Sequence, residues 1–266
     1  MLLVLASVTA FAPRAELGAA GLRSAHVRPA RSSPLRATAT ETAPSLKCKP
    51  YDPSADWSPK GIVDEVALLE KNWESFPIKP EDAVNRAKWV IAEPRFGTVD
   101  DSCLAPDFEF CAPFIGPLGK ADFLEALGSF KLEDALDITD NFHAFRADPF
   151  QPGRIWYNTR STAIHSGKET PMLGKPTGKS LELPPQSFSI IFNEEGLVRE
   201  FTVGYVMDRR IGNTGGLGGA FAYFYGVGKP IPIPECHPYK PSRRLRFFQT
   251  VSRTSTAVKK LLGRDS

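Results

Sequence analysis

The chain has 266 residues, of which 42% are hydrophobic and 24% charged, with a formal net charge of +3 at pH 7. That surplus is the balance of +4 on residues 1–40, +7 on residues 239–266 and −8 on the residues between. An acidic body between basic ends excludes nucleic acid as the main partner, because phosphate binding needs a basic face.

Residues 1–45 read as targeting sequence and are set apart from the fold. Leu2 to Ala10 is a short apolar run ending in small residues, as in the core and cleavage site of a signal peptide. Between Phe11 and Thr40 stand Arg14, Arg23, Arg28, Arg31 and Arg36 with a single acid, Glu16, the composition of an organelle transit peptide. The junction Ala10-Phe11-Ala12-Pro13 resembles the bipartite plastid presequences of algae with secondary plastids of red-algal origin, which are cut just before a phenylalanine. That resemblance implies a plastid location, in the stroma or against a thylakoid; a mitochondrial presequence is the rival. No apolar run reaches the ~18–20 residues of a membrane-spanning helix. Cys48, Cys103, Cys111 and Cys236 lack metal-ligand spacing, so no metal is expected; Cys103 and Cys111 could pair in an oxidising compartment, and free thiols are expected in a reducing stroma. No cofactor is expected either. What remains suffices for one domain, expected over residues 55–210, with a Gly/Pro-rich extension and basic tail over 211–266.

Ile62, Val66, Leu69 and Trp73 recur at helical spacing and predict a helix over residues 59–75. A second is expected over 80–93, with Pro80 early, Ala83, Ala87 and Val90 on one face, and Pro94 as its stop. Residues 104–114 are aromatic but interrupted by Pro106 and Pro113, which predicts a loop with at most a short strand. Residues 119–130 form a third helix. The period then shifts towards 2, and 141–148, 154–165, 181–192 and 197–208 are predicted strands. Asn193-Glu194-Glu195-Gly196 is a tight hairpin turn, with Gly196 at a positive backbone angle. On the last strand Phe201, Val203, Tyr205 and Met207 alternate as an apolar outer stripe suited to a homodimer, and Glu200 and Asp208 share the opposite face. Helices followed by long antiparallel strands make an α+β pattern.

Three short runs carry a family resemblance: Ile164-His165-Ser166-Gly167, then Lys175-Pro176-Thr177-Gly178-Lys179, then Glu194-Glu195-Gly196-Leu197-Val198. Their order and spacing resemble the SnoaL-like polyketide cyclase branch of the nuclear-transport-factor-2-like (NTF2-like) superfamily. The loops at residues 104–108 and 116–120 resemble that family's early region, and the likeness covers roughly residues 60–208. It implies an NTF2-like cone, with N-terminal helices packed on a strongly curved antiparallel sheet around an apolar cavity. Members include isomerases, cyclases, dehydratases and non-catalytic modules, so the fold does not choose a function. One departure stands out. Where cyclases of this branch carry an acid, a tryptophan and a catalytic aspartate on the last strand, this chain has Glu200, Thr202 and Val206. Only a two-residue slip would bring in Asp208.

His165 is the leading candidate for proton transfer near neutral pH; a histidine fixing the turn after it is the alternative. Asp107, between Pro106 and Phe108, is a second catalytic candidate if burial raises its pKa, and Asp208 a third. Tyr157 and Tyr205 offer hydroxyls to a carbonyl oxygen, and Arg160 and Glu200 are candidate ligand contacts or an internal ion pair. Phe108 and Phe110 are expected to line the cavity. Gly178-Lys179-Ser180 is no phosphate loop, because Leu173 replaces its first glycine and a strand follows. The glycine-rich run 212–219 lacks a βαβ unit and is expected at a cavity mouth. Residues 242–264 place Leu245, Phe248, Val251, Val258 and Leu262 among seven basic residues, an amphipathic segment suited to an anionic membrane or an acidic protein. These features point to a small, largely apolar ligand: isoprenoid, pigment-derived or polyketide-like. A non-catalytic assembly module is the rival, distinguished by whether the cone is open or filled with Phe and Tyr side chains.

Overall fold

The computed structural model describes residues 61–130 and 132–261. The segment expected to be targeting sequence, Cys48 and residues 262–266 lie outside them. From Glu65 onward the described residues belong to one compact unit. Its order is α1 (Glu65–Trp73), α2 (Pro80–Ala92), β1 (Leu104–Ala112), β2 (Ile115–Gly119), α3 (Lys120–Phe130), α4 (Leu132–Ala135), β3 (Asp137–Thr139), β4 (His143–Ala147), β5 (Arg154–Thr159), β6 (Thr162–Ile164), β7 (Ser180–Glu182), β8 (Gln186–Phe192), β9 (Val198–Val206), α5 (Gly219–Val227) and α6 (Arg243–Leu261). This is the expected α+β class, with helices against a curved, mostly antiparallel sheet.

Local chemistry accounts for the helices. Pro80 opens α2, where its missing N–H costs nothing, and Glu81 and Asp82 sit at the positive end of the helix dipole. Ala83, Ala87, Val90 and Ile91 then bury one face of it. The first helix is shorter than its spacing predicts. It starts at Glu65, leaving Ile62 and Val66 exposed, while Trp73 is buried and donates Nε1–H to the Asp148 carbonyl at 2.8 Å.

The main sheet has six strands in the order β2-β1-β9-β8-β5-β4, with β1 parallel to β9 and the other neighbours antiparallel. The loop expected at 104–114 is therefore a nine-residue strand. Pro106 fits because it stands where the β1–β9 register skips from Leu104 to Glu109, so no ladder bond is lost. Two of the three longest predicted strands break in two. Residues 154–165 divide at Arg160 and Ser161, and residues 181–192 at Leu183-Pro184-Pro185, where two prolines cannot donate to a ladder. The far halves, β6 and β7, join β3 in a second sheet of order β3-β6-β7.

The last strand corrects the expected stripe. Ile191 pairs with Glu200 but Phe192 with Val198, and Ser189 pairs with Thr202 but Ser187 with Tyr205, so β9 carries one extra residue at each end. These bulges reverse the alternation twice. Phe201 and Val203 consequently face the core and are 1% and 3% exposed, whereas Tyr205 and Met207 stay at the surface. Gly204, at φ +80°, forms the second bulge; a Cβ there would meet only ordinary contacts at 3.6 Å, so the backbone angle is what demands glycine. Gly204→Ala is expected to cost about 1–2 kcal/mol, measured as a lower urea midpoint with an unchanged slope. The hairpin turn stands as expected, with Gly196 at φ +78° and the Asn193 side chain accepting from the N–H groups of Glu195 and Leu197.

Two hydrophobic cores result. The first lies between the main sheet and α1 to α3, and aromatic rings fill it. Phe96 stacks on Phe201 at 4.3 Å between centroids, Phe108 and Phe110 pack on Phe123 at 4.9 and 5.1 Å, and Tyr157 stacks on Phe145 at 5.0 Å. The second core joins the small sheet to α5, where Ala220, Phe221, Ala222, Tyr223, Phe224 and Val227 are all buried. The segment expected as an extension from residue 211 thus supplies the central helix of that core.

Candidate functional site

A cleft of about 770 Å³ opens where the end of β9, the β1–β2 turn, the glycine-rich run and residues 234–239 meet. Phe114, Val203, Val206, Leu217, Phe221 and Pro238 give it apolar walls. Its floor depends on close backbone approach. A Cβ on Gly218 would lie 2.6 Å from the Gly204 carbonyl oxygen and 2.8 Å from Gln186 Oε1. Residues 215–219 of the glycine run line this cleft rather than the mouth of the cavity expected inside the sheet. At the rim, the Arg209 guanidinium lies 5.0 Å from the Tyr239 ring centroid, and no carboxylate among the described residues pairs with it.

Behind the floor lies a buried polar seam between the two cores. Gln186 accepts the Gly219 N–H at 2.7 Å through Oε1, while its Nε2 is buried without a partner. Opposite Gln186 across β5–β8 is Thr159, whose hydroxyl is also unpartnered, with Tyr157 two residues before it and Ser161 two after. Ser161 donates to Asp140 Oδ1 at 2.9 Å, and Asp140 Oδ2 finds no partner. The Tyr223 hydroxyl of α5 is buried without a hydrogen-bond partner as well, and it feels both the Asp140 charge and the Ser161 hydroxyl. Burial pushes the Asp140 carboxyl up to about 7, against the opposing Ser161 bond, and both tyrosine hydroxyls are raised well above their ordinary value. Burial thus favours the protonated carboxyl over a pH range where a solvated one is ionised.

The three catalytic candidates stand apart, each with its own partner. His165 follows β6 and is fully buried, with Nδ1 3.1 Å from Thr177 Oγ1 and Nε2 unpartnered. Its backbone N–H bonds to the Lys179 carbonyl and its carbonyl accepts from Gly178, so it closes the loop 165–179. Burial, then nearby Lys179, lowers its pKa and favours the neutral ring. The desolvation expected of Asp107 is absent: its side chain is 68% exposed and lies 3.5 Å from Arg199. Asp208 binds Arg210 through both oxygens, at 2.9 and 2.7 Å, and these bonds hold its carboxyl down at about 2. A carboxylate so stabilised has no proton to give at neutral pH and little basicity.

The ligand-contact candidates divide similarly. Tyr157, Phe108 and Phe110 do not line an open cavity; they are at most 1% exposed and packed into the first core. Arg160 pairs with Glu182 at 3.3 Å near the surface, and Glu200 with Arg154 at 2.9 Å rather than with Arg160. Tyr205 alone among the nine lines the cleft. Sequence reasoning missed Arg209, Tyr239 and Asp140. Asp140 carried no signal, because Ser161, its hydrogen-bond partner, comes from a segment about twenty residues away. Among the described residues, no group of three His, Cys, Asp or Glu side chains is placed to hold a metal ion. Cys103, Cys111 and Cys236 are free thiols.

No family model matches the sequence, and no curated protein does. Among solved structures the chain is similar to a candidate SnoaL-like polyketide cyclase from Jannaschia sp. CCS1, at 12% identity over 57% of this chain and 95% of that one, with a TM-score of 0.38. It is also similar to IdmH, a candidate polyketide cyclase from Streptomyces antibioticus, at 12% identity over 58% and 96% of the two chains, with a TM-score of 0.32. An LEH-like epoxide hydrolase from Mycobacterium tuberculosis matches at 10% identity over 47% and 82%, with a TM-score of 0.33. No activity or ligand follows for this chain from likenesses of this strength.

Proposed function

We propose that this protein binds a small, largely apolar molecule in the cleft at the end of the main sheet, in a plastid. The observation that carries this reading is the cleft's volume, about 770 Å³ between apolar walls, within the range of small-molecule sites. Arg209, braced on Tyr239, offers one cation to an acidic or carbonyl end of the ligand. Isoprenoid, pigment-derived and polyketide-like molecules share that chemistry. Proton transfer by His165 with Asp107 or Asp208 is not part of the proposal, because the two aspartates are paired with Arg199 and Arg210 and His165 is buried against Thr177.

Binding of the apolar anionic fluorophore 8-anilinonaphthalene-1-sulfonate provides the test. Leu217→Trp, which places an indole inside the cleft, is expected to weaken fluorophore binding at least tenfold with an unchanged circular dichroism spectrum; equal binding by the variant would remove the cleft as the site. A second reading, a non-catalytic assembly module, draws support from the aromatic filling of the first core. Native mass spectrometry of the purified protein separates the two, through a co-purifying small molecule or a co-purifying protein.

A further inference from the structure

We infer that α6 is a docking helix for an anionic lipid surface. Over its 19 residues it carries six basic side chains (Arg243, Arg244, Arg246, Arg253, Lys259 and Lys260) and no acid. Phe247, Val251 and Val258 fall on one helical stripe, with Phe248 beside them, and Arg246 and Arg253 lie on the far side. The apolar stripe is not used by the fold. Phe247, Phe248, Val251 and Val258 are 64%, 66%, 46% and 52% exposed, although the body of the chain is acidic and would attract a basic helix. An exposed phenylalanine pair with two further apolar residues, backed by arginines that pair with no carboxylate among the described residues, matches an interface whose surface is anionic and whose interior is hydrocarbon.

The polar residues of the helix fit that environment. Thr250, Thr254 and Thr256 donate their hydroxyls to the carbonyls of Arg246, Thr250 and Ser252 at 2.9, 3.0 and 3.0 Å. These hydroxyls therefore enter the headgroup boundary already hydrogen-bonded, which lowers their desolvation cost. Among the described residues no helix is long and apolar enough to cross a membrane, so α6 would lie along the surface. A second copy of α6 is a poor partner, since two such helices repel. An acidic protein would satisfy the charge but would also need a groove for the phenylalanines.

Docking also sets the place of the cleft, a consequence that rests on the cleft being a ligand site. Tyr239 lines the cleft and α6 begins at Arg243, four residues on, a reach of at most about 14 Å. An apolar ligand dissolved in the bilayer would then be presented close to the rim.

Flotation of the full chain with phosphatidylcholine vesicles, with and without about a third phosphatidylglycerol, tests the docking directly. Partition to the anionic vesicles is expected to exceed that to the neutral ones at least tenfold at low salt, and to fall towards the neutral value as salt screens the charge. Phe247→Ser with Phe248→Ser, and separately Arg246→Gln with Arg253→Gln, should each lower it about tenfold or more. Both pairs are exposed and outside either core, so thermal unfolding and fluorophore binding in the cleft should stay as in the parent. Equal partition to both vesicle types overturns the proposal, as does an unchanged partition of either variant. A parent chain that stays in the aqueous fraction yet binds polyglutamate overturns it in favour of an acidic protein. Loss of fluorophore binding by Leu217→Trp, or its absence, leaves vesicle partition unaffected, so the two readings fail separately.

Discussion

Replacing Phe201 by alanine is expected to remove about 3–5 kcal/mol of stability, because the deletion leaves a cavity at the centre of a packed aromatic cluster. Phe201 is 1% exposed, stacked on Phe96, and meets Phe110 and Phe123 edge-on at 5.8 and 6.3 Å. Its neighbours are anchored on a strand, a helix and a loop, so they have little freedom to collapse into the gap. A loss of this size is a large share of the roughly 5–15 kcal/mol that holds a domain folded. Urea unfolding reads it as a lowered midpoint at constant slope. The measurement also tests the packing of the first core: in a hollow chamber open to solvent, the same deletion would cost well under about 1 kcal/mol, and the packed description would be wrong.

The second large effect lies at Asp140. With its folded pKa raised from an ordinary 3.8 to about 7, the native state holds a proton over a pH range where the unfolded chain has lost it. Stability from this group is therefore full below about pH 4, declines as pH rises towards 7, and levels off above. Carried through this whole window, the decline amounts to roughly 4 kcal/mol by pH 8. Asp140→Asn keeps an acceptor for Ser161 and removes the charge, so it is expected to stabilise the protein by up to that amount at pH 8 and to leave it nearly unchanged at pH 4. Tyr157 and Tyr223, the other titratable groups facing Asp140, stay neutral throughout this range. Parallel stability profiles for variant and parent between pH 4 and 8 would show that Asp140 is solvated rather than sealed in the seam.

A buried acid beside two buried tyrosines and an unpartnered amide is expensive for a fold that needs only packing. The seam also adjoins the cleft through Gln186, whose Oε1 anchors the first residue of α5 directly behind the cleft floor. The cleft and the seam are thus two sides of one wall. Any movement of Gly218 or Gly219 on ligand entry would be felt at Gln186 first.

Periodicity sufficed for much of the fold. Apolar spacing of three to four located α2 and α3, and alternation located β8 and β9, because burial of one face leaves its period in the residues that pay for exposure. The glycine of the hairpin at Asn193–Gly196 followed from its backbone angle alone, a property that no neighbour alters. What alternation could not supply was register. Two bulges in β9, one of them at Gly204, each displace the face by one residue, and so Phe201 and Val203 belong to the core while Tyr205 reaches the cleft. Likewise Pro106 disguised β1, since a proline is forbidden only where a ladder bond is made, and ladder bonds are a property of the partner strand.

The site was less legible than the fold for the same reason. His165, Asp107 and Asp208 are residue types suited to proton transfer, and their chemistry is written in the sequence; their partners Thr177, Arg199 and Arg210 are not. Composition by itself determined the class of the chain, the acidic body with its basic ends, and the amphipathic run that became α6, because each depends only on residue types and their spacing. The tertiary structure alone decided that aromatic side chains pack the first core, that residues 211–239 complete a second core, and that the cleft lies outside both. Those outcomes turn on which side chains meet across tens of residues, and a pairing at that distance leaves no periodic trace in one chain.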